Sequence, residues 1–288
     1  MIVVADSGST KTDWVFTGRD GMRREISTAG FNPVLQDEHS VFSALQGPFD
    51  GLDLLPKVRQ VFFYGSGCWD EKRSSVIVRA IQPYFSNAVI VVEHDLLGAA
   101  KATCGSEPGI ACILGTGSNS CLFDGKQIID NVTNLGYLLG DEGSGTHIGK
   151  MLVRAYFYRE LPEDLARDML ELFPAGKTDI LDKIYGSGRP NLFLASFSEW
   201  VGDRISHPYI QDLIKRSFGK FLDRHVLKYN GHEHLPIHFV GSLSHHFRKQ
   251  LSECCAERKL HIGKIIPKPI DELVVFHTSP APGGGSLE

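Results

Sequence analysis

Apolar residues open the chain in short extended runs. Ile2-Val3-Val4-Ala5 ends in Asp6, Trp14-Val15-Phe16 falls within 12–17, a third run covers 23–28, and small or polar residues separate them. This spacing predicts three neighbouring strands, the first two joined as a hairpin through a small-residue turn. The pattern then alternates: helical over 38–46, extended over 59–64, helical over 71–82 and extended over 88–93. Glu93-His94-Asp95 closes that strand, and Asp95 takes an N-cap or first-turn position of a helix running to Ala102. Strands about 109–114 and 120–123 follow, joined through Gly115-Thr116-Gly117-Ser118-Asn119. Helices are predicted near 141–159, where Ile148, Leu152, Ala155 and Tyr156 recur at helical spacing, and near 163–172, 178–185, 191–204 and 208–228. A strand at 237–240, a helix at 243–257 and strands at 260–266 and 273–277 complete the chain. The second half therefore repeats the first with a helical insertion, which predicts an α/β protein of two domains, 1–103 and 104–288, each a mixed sheet covered by helices.

Both small-residue turns carry phosphate-binding chemistry. In the first, Gly8 leaves the backbone open to close approach, Ser9 and Thr10 offer hydroxyls and N–H groups, Lys11 brings positive charge, and Asp6 is placed to hold Mg2+ through water. Gly115–Asn119 repeats the strand-turn-strand logic, so the chain reads as a duplicated domain gripping a nucleotide from both sides. A transferred phosphoryl group also needs an acceptor oriented by a base, and Asp95 at the strand-to-helix corner is the candidate. Glu93, two residues earlier, is near enough for one carboxylate to raise the pKa of the other. Read without a ligand, Asp95 is a helix cap and Gly8–Lys11 a polar hairpin turn.

The Asp6–Thr12 turn, the Glu93-His94-Asp95 strand end, the Gly115–Asn119 turn and Gly140-Asp141-Glu142-Gly143-Ser144 together resemble the actin/hexokinase/Hsp70 ATPase superfamily. Within it the chain is most similar to the N-acetylglucosamine kinase branch, which shares a domain family with the BadF/BadG/BcrA/BcrD-type ATPases. The resemblance implies two ribonuclease-H-like (actin-like ATPase) domains with a nucleotide and sugar cleft between them. It implies ATP with Mg2+, and transfer to an amino sugar, N-acetylglucosamine at its 6-hydroxyl. Thr10 and Thr116 would contact ATP phosphates, Gly8, Ser9, Lys11, Gly117 and Ser118 would shape the turns, and Gly241-Ser242 would border adenosine. Asn32, Asp95, Asn119 and Asp141 would meet the sugar. Asn134 belongs to the same substrate-binding group, in a stretch, Thr133-Asn134-Leu135-Gly136-Tyr137, where relatives carry a Gly-Gly-Trp-Gly-like sequence. Ser7 and Ser9 stand where relatives commonly have glycines. Relatives end on a helix packed against the first domain, whereas the run 273–277 reads here as a strand with no helix after Gly283, so that closing element is expected to be shortened or absent. Dimerisation is usual in the resembled family.

Composition narrows the partners. The 288 residues carry a formal net charge of −4 with no basic stripe, which argues against nucleic acid. No apolar run reaches eighteen residues and no export signal precedes the first strand, so a cytoplasmic protein without membrane contact is expected. The six cysteines form no CxxC pair and read as reduced structural thiols. Of the twelve histidines, the cluster His232, His234, His238, His245 and His246 lacks a completing acid or cysteine and reads as surface histidine. The glycine-rich tail 280–288 is given no structural weight. Two rival functions remain. One is an ATPase driving a partner redox enzyme through a cysteine-held iron–sulfur cluster; the other is a sugar sensor, disfavoured because no DNA-binding module precedes the hairpin.

Overall fold

The computed structural model describes residues 1–279 apart from Ser9, Arg19 and Ser187. The chain divides into two compact units, Met1–Ser106 together with the chain from Lys268 on, and Glu107–Pro267. The first crossing lies three residues from the boundary read in the sequence. The second crossing replaces the expectation that everything after residue 104 belongs to one domain.

The first unit holds β1 (Ile2–Ser7), β2 (Lys11–Thr17), β3 (Arg23–Ala29), β4 (Gln60–Gly65) and β5 (Val89–His94), in the order β3-β2-β1-β4-β5. β1 runs antiparallel to β2 and parallel to β4, and β4 runs parallel to β5. Helices α1 (Glu38–Phe49) and α2 (Glu71–Ile81) begin on aspartate caps, Asp37 accepting from the Ser40 N–H and Asp70 from the Arg73 N–H. Helix α3 (Asp95–Cys104) follows β5 without a break. The core centres on Trp14, fully buried among Phe49, Phe63 and Phe85, with its indole N–H donated to Thr28 at 3.0 Å.

The second unit repeats this plan. Its strands β6 (Gly109–Leu114), β7 (Ser118–Phe123), β8 (Ile128–Asp130), β9 (Ile237–Val240) and β10 (Ile262–Ile266) take the order β10-β9-β6-β7-β8, with the same strand directions at equivalent places. Both units are thus ribonuclease-H-like domains of an α/β protein. Between β8 and β9 the insertion supplies α4 (Gly136–Leu139), α5 (Gly145–Phe157), α6 (Glu163–Leu172), α7 (Lys177–Leu181), α8 (Pro190–Asp203) and α9 (Pro208–Arg224). The predicted 243–257 helix is two helices, α10 (Ser242–His246) and α11 (Arg248–Glu257), broken where Phe247 leaves helical geometry and buries its ring. Strand β8, three residues long, is too short for its period to register in the sequence.

The run 273–277 is no strand. Helix α12 (Ile270–Thr278) packs on α3, β1 and β2, so the closing helix is present, built from residues read as extended. Ile270, Leu273 and Val274 are buried, while Val275 is 57 % exposed, a helical face and not an alternation. The tail after Ser279 lies outside the described residues. His238 corrects the surface-histidine expectation: it sits buried in β9, a strand with neighbours on both sides, and its Nδ1 accepts the Lys264 N–H at 2.8 Å. All six cysteines are buried. Among the described residues no helix is long and apolar enough to cross a membrane.

Candidate functional site

In the first unit, the β1–β2 hairpin turn is closed by the Gly8 N–H donating to the Lys11 carbonyl at 3.0 Å, which leaves Thr10 exposed at its tip. Ser9 lies outside the described residues. The flanking hydroxyls point inward: Ser7 and Thr12 meet at 2.7 Å, and Ser7 also accepts the Phe31 N–H, tying the turn to the chain that leads to Asn32. Lys11 pairs with Asp13 at 3.1 Å, and Lys268 reaches Asp13 at 4.0 Å. Asp13 is the register partner of Asp6 across the hairpin.

Three carboxylates therefore influence one another. Burial first, then the charges of Asp95 and Asp13, push Asp6 up to about 7, against smaller opposing effects of Lys11 and Lys268. Asp95 is also raised, by burial, and is opposed by His94, whose Nε2 lies 3.1 Å from its carboxylate, and by the Leu96 N–H. Asp13 goes the other way: burial raises it, but Ser27 and Lys11 outweigh that and leave it low. Asp95 is the first residue of α3, behind an N-cap, His94, that makes no side-chain capping bond. Glu93 does not take the place expected of it. Its charge acts on Tyr64 and Lys101, and the carboxylate that feels the Asp95 charge is Asp6. Asn32 uses its Oδ1 to accept the Val34 N–H at 2.9 Å, and Gly67, at φ +83°, approaches it so closely that a Cβ there would lie 2.3 Å from that oxygen.

In the second unit, the turn at the end of β6 is held from outside. The Thr116 carbonyl accepts the Thr146 N–H and hydroxyl, at 3.1 and 2.6 Å, and the Gly115 carbonyl accepts the Gly145 N–H at 2.9 Å. Asp141 closes the other side, its Oδ1 accepting the Ser118 N–H at 3.2 Å and the Asn134 side-chain amide at 2.8 Å. The sequence placed Asp141 inside a helix; it precedes α5, in a left-handed conformation at φ +59° that aspartate tolerates, and Ser144 caps the helix. Gly117, Ser118, Asn134 and Asp141 thus form one cluster. Asn119 stands apart from it, its Oδ1 accepting from the Ser120 N–H and the Asn131 amide. Gly241, at φ +131°, packs so tightly on the end of β6 that a Cβ would meet the Leu114 carbonyl at 2.2 Å. Beyond it Ser242 borders a cavity of about 490 Å³ lined with Leu243, His245, His246, Phe247 and Gly202, a size that suits a small organic ligand.

Sequence reasoning missed Asp13 and Lys268. Asp13 is hidden by its place inside a strand, although the hairpin register alone sets it across from Asp6. Lys268 joins the group only through the chain's return to the first unit, which no local pattern announces.

No family model matches the chain, and no curated protein does. Among solved structures, a protein of Porphyromonas gingivalis provisionally named an N-acetylglucosamine kinase is 39 % identical, with 96 % of this chain and 98 % of that chain covered and a TM-score of 0.91. A Chromobacterium violaceum protein with the same provisional name has a TM-score of 0.70 at 19 % identity, covering 96 % of this chain and 97 % of its own. A non-polymerising mutant of MamK bound to AMPPNP has a TM-score of 0.51 at 12 % identity, covering 94 % and 95 %. The last two share the fold. With the first as a relative over nearly its whole length, the chain belongs to the N-acetylglucosamine kinase-like, BadF/BadG/BcrA/BcrD-type ATPase family of the actin/hexokinase/Hsp70 superfamily.

Proposed function

We propose that the protein is an ATP-dependent sugar kinase that phosphorylates an amino sugar, N-acetylglucosamine at its 6-hydroxyl. The observation that carries this reading is the 39 % identity, across 96 % of the chain, to the provisionally named N-acetylglucosamine kinase of Porphyromonas gingivalis. Phosphoryl transfer asks a protein mainly to position the reactants and offset charge. Asp95 takes the proton of the acceptor hydroxyl, and burial, which raises its pKa, makes it a stronger base than an exposed aspartate. Thr10 and Thr116 contact the phosphates on turns shaped by Gly8, Ser9, Lys11, Gly117 and Ser118, while Gly241 and Ser242 border the adenosine.

The residues around Asp6 fit a divalent cation. Burial and two neighbouring carboxylates push the Asp6 pKa up to about 7, and a divalent cation beside it would favour the charged carboxylate. No group of three metal-binding side chains occurs among the described residues, so Mg2+ at this place would be held by Asp6 through water. Mg2+ bound there would supply charge neutralisation to the phosphates. For the sugar, Asn32 and Asn119 each have the oxygen engaged and the NH2 left to donate, and Asp141 has Oδ2 left to accept a hydroxyl. Asn134, whose amide is committed to Asp141, acts by holding that carboxylate.

The test is ADP release by the purified protein with Mg-ATP and N-acetylglucosamine, glucosamine, N-acetylmannosamine, N-acetylmuramic acid, glucose or no sugar. Release dependent on N-acetylglucosamine supports the reading, and dependence on another sugar of the panel reassigns the substrate. Equal release without sugar overturns it in favour of an ATPase that drives a partner redox enzyme.

A further inference from the structure

The turn Ser66-Gly67-Cys68-Trp69, between β4 and α2, enters the site described so far only through Gly67, yet it borders that site at the end of β1, at Asn32 and at Asp95. Its start is tied to the end of β1, next to Asp6, by the Ser66 N–H donating to the Ser7 carbonyl at 3.1 Å. Gly67 lies against Asn32 and Pro33, with no room for a side chain. Cys68 feels Asp95: burial and then the Asp95 charge push its thiol up to about 12. Trp69 meets the His94 ring edge-on at 6.4 Å, and His94 in turn contacts Asp95. The turn thus runs from one proposed sugar contact, Asn32, to the proposed base, Asp95.

Two features of the turn are unexplained by folding. The Ser66 hydroxyl is shielded from water and has no hydrogen-bond partner, a state that costs roughly 1–3 kcal/mol unless something satisfies it. Ser66 as a residue is only partly buried, and its hydroxyl has other staggered positions open to it by rotation about the Cα–Cβ bond. Trp69 is 56 % exposed although it is the bulkiest side chain of the turn, and it is held in place and not left loose, with the Arg73 guanidinium 4.4 Å from its ring centre and Arg73 itself paired to Asp70. A fixed, exposed indole beside an unsatisfied hydroxyl is the pairing of apolar surface and directed polar group that a sugar ring requires.

We infer that the Ser66–Trp69 turn forms a wall of the acceptor site, with the Ser66 hydroxyl hydrogen-bonding a sugar hydroxyl and the Trp69 indole packing against the sugar's carbon face. The inference rests on the sugar-kinase reading and adds two acceptor contacts to it.

The experiment compares wild type, Ser66→Ala, Trp69→Ala and Trp69→Phe in ADP release with N-acetylglucosamine, alongside tryptophan emission on adding the sugar without ATP. Ser66→Ala and Trp69→Ala are expected to raise the sugar KM about tenfold each, the size of one lost buried contact, and to leave the ATP KM unchanged. Trp14 is fully buried in the first core and Trp200 lies on α8 against the Arg204 guanidinium, neither among the residues assigned to the sugar, so a sugar-induced emission change is expected in wild type and absent in Trp69→Phe. Unchanged sugar KM in both alanine variants, or an emission response that survives in Trp69→Phe, overturns the inference while the kinase reading stands. Wild-type release indifferent to every sugar tried overturns both.

Discussion

Asp6 and Asp95 share one difficulty, two acids partly withdrawn from water within reach of each other's charge. Asp95→Asn keeps the shape and removes the base, so ATP and sugar binding are expected to persist while kcat falls roughly 10²–10⁴-fold, as for loss of a positioned general base. Binding titrations with steady-state kinetics check this, and an active asparagine variant refutes the assignment. Asp6 makes a second prediction. Its folded pKa, about 7, stands above the ordinary 3.8, so between those values the folded state holds a proton the unfolded state has lost. Stability therefore declines as pH rises from about 4 to 7, and the penalty is fully present above 7. Asp6→Asn is expected to gain melting temperature over wild type as pH rises from 5 to 8, and added Mg2+ to narrow the gap at pH 8; parallel melting curves refute it. Asp6 and Asp95 were singled out in the sequence because each stands at or beside the end of an apolar run, and the structure sets them within reach of each other's charge. The partnership of Asp6 with Asp13 follows from the hairpin register, whereas the arrival of Lys268 and the action of Glu93 on Tyr64 follow from packing that a sequence does not carry.

Among the elements, the hairpins and the strands beside them were legible because turn residues and apolar runs agree there. α12 was not. Leu273-Val274-Val275-Phe276 has strong strand propensity, and that weighed more than the spacing Ile270, Leu273, Val274, His277, which marks one helical face. The face is decided by what it covers. His277 stacks on Phe62 with ring centres 3.7 Å apart and bonds the Tyr64 hydroxyl at 2.8 Å, contacts that exist only after β4 has formed. Leu273 is fully buried in that packing, so Leu273→Ala is expected to destabilise the first unit by about 2–5 kcal/mol. Denaturant unfolding followed through amides of β1 and β4 measures it, and a loss below 1 kcal/mol shows that the helix is not integral to the unit.

The molecule as a whole repeats one sheet plan, and the repetition was visible in the sequence as two strand-turn-strand motifs. Its closure was not, since the return of the chain at Lys268 is a fact of tertiary packing. One unit is a single continuous stretch, Glu107–Pro267, with its own core; the other is split around it. Residues 107–267 expressed alone are expected to melt cooperatively, whereas residues 1–106 alone, without the helix that covers α3, β1 and β2, are expected to lack a cooperative transition. Circular dichroism melting of the two pieces decides it, and a cooperative 1–106 shows α12 to be dispensable. The split also sets an order in time. During synthesis the stretch that begins later has all its residues first, and the earlier one waits with an uncovered apolar face until the last helix emerges. The interval in which a nascent chain most needs a chaperone thus belongs to the half that carries the proposed base, and slow translation after residue 106 prolongs it.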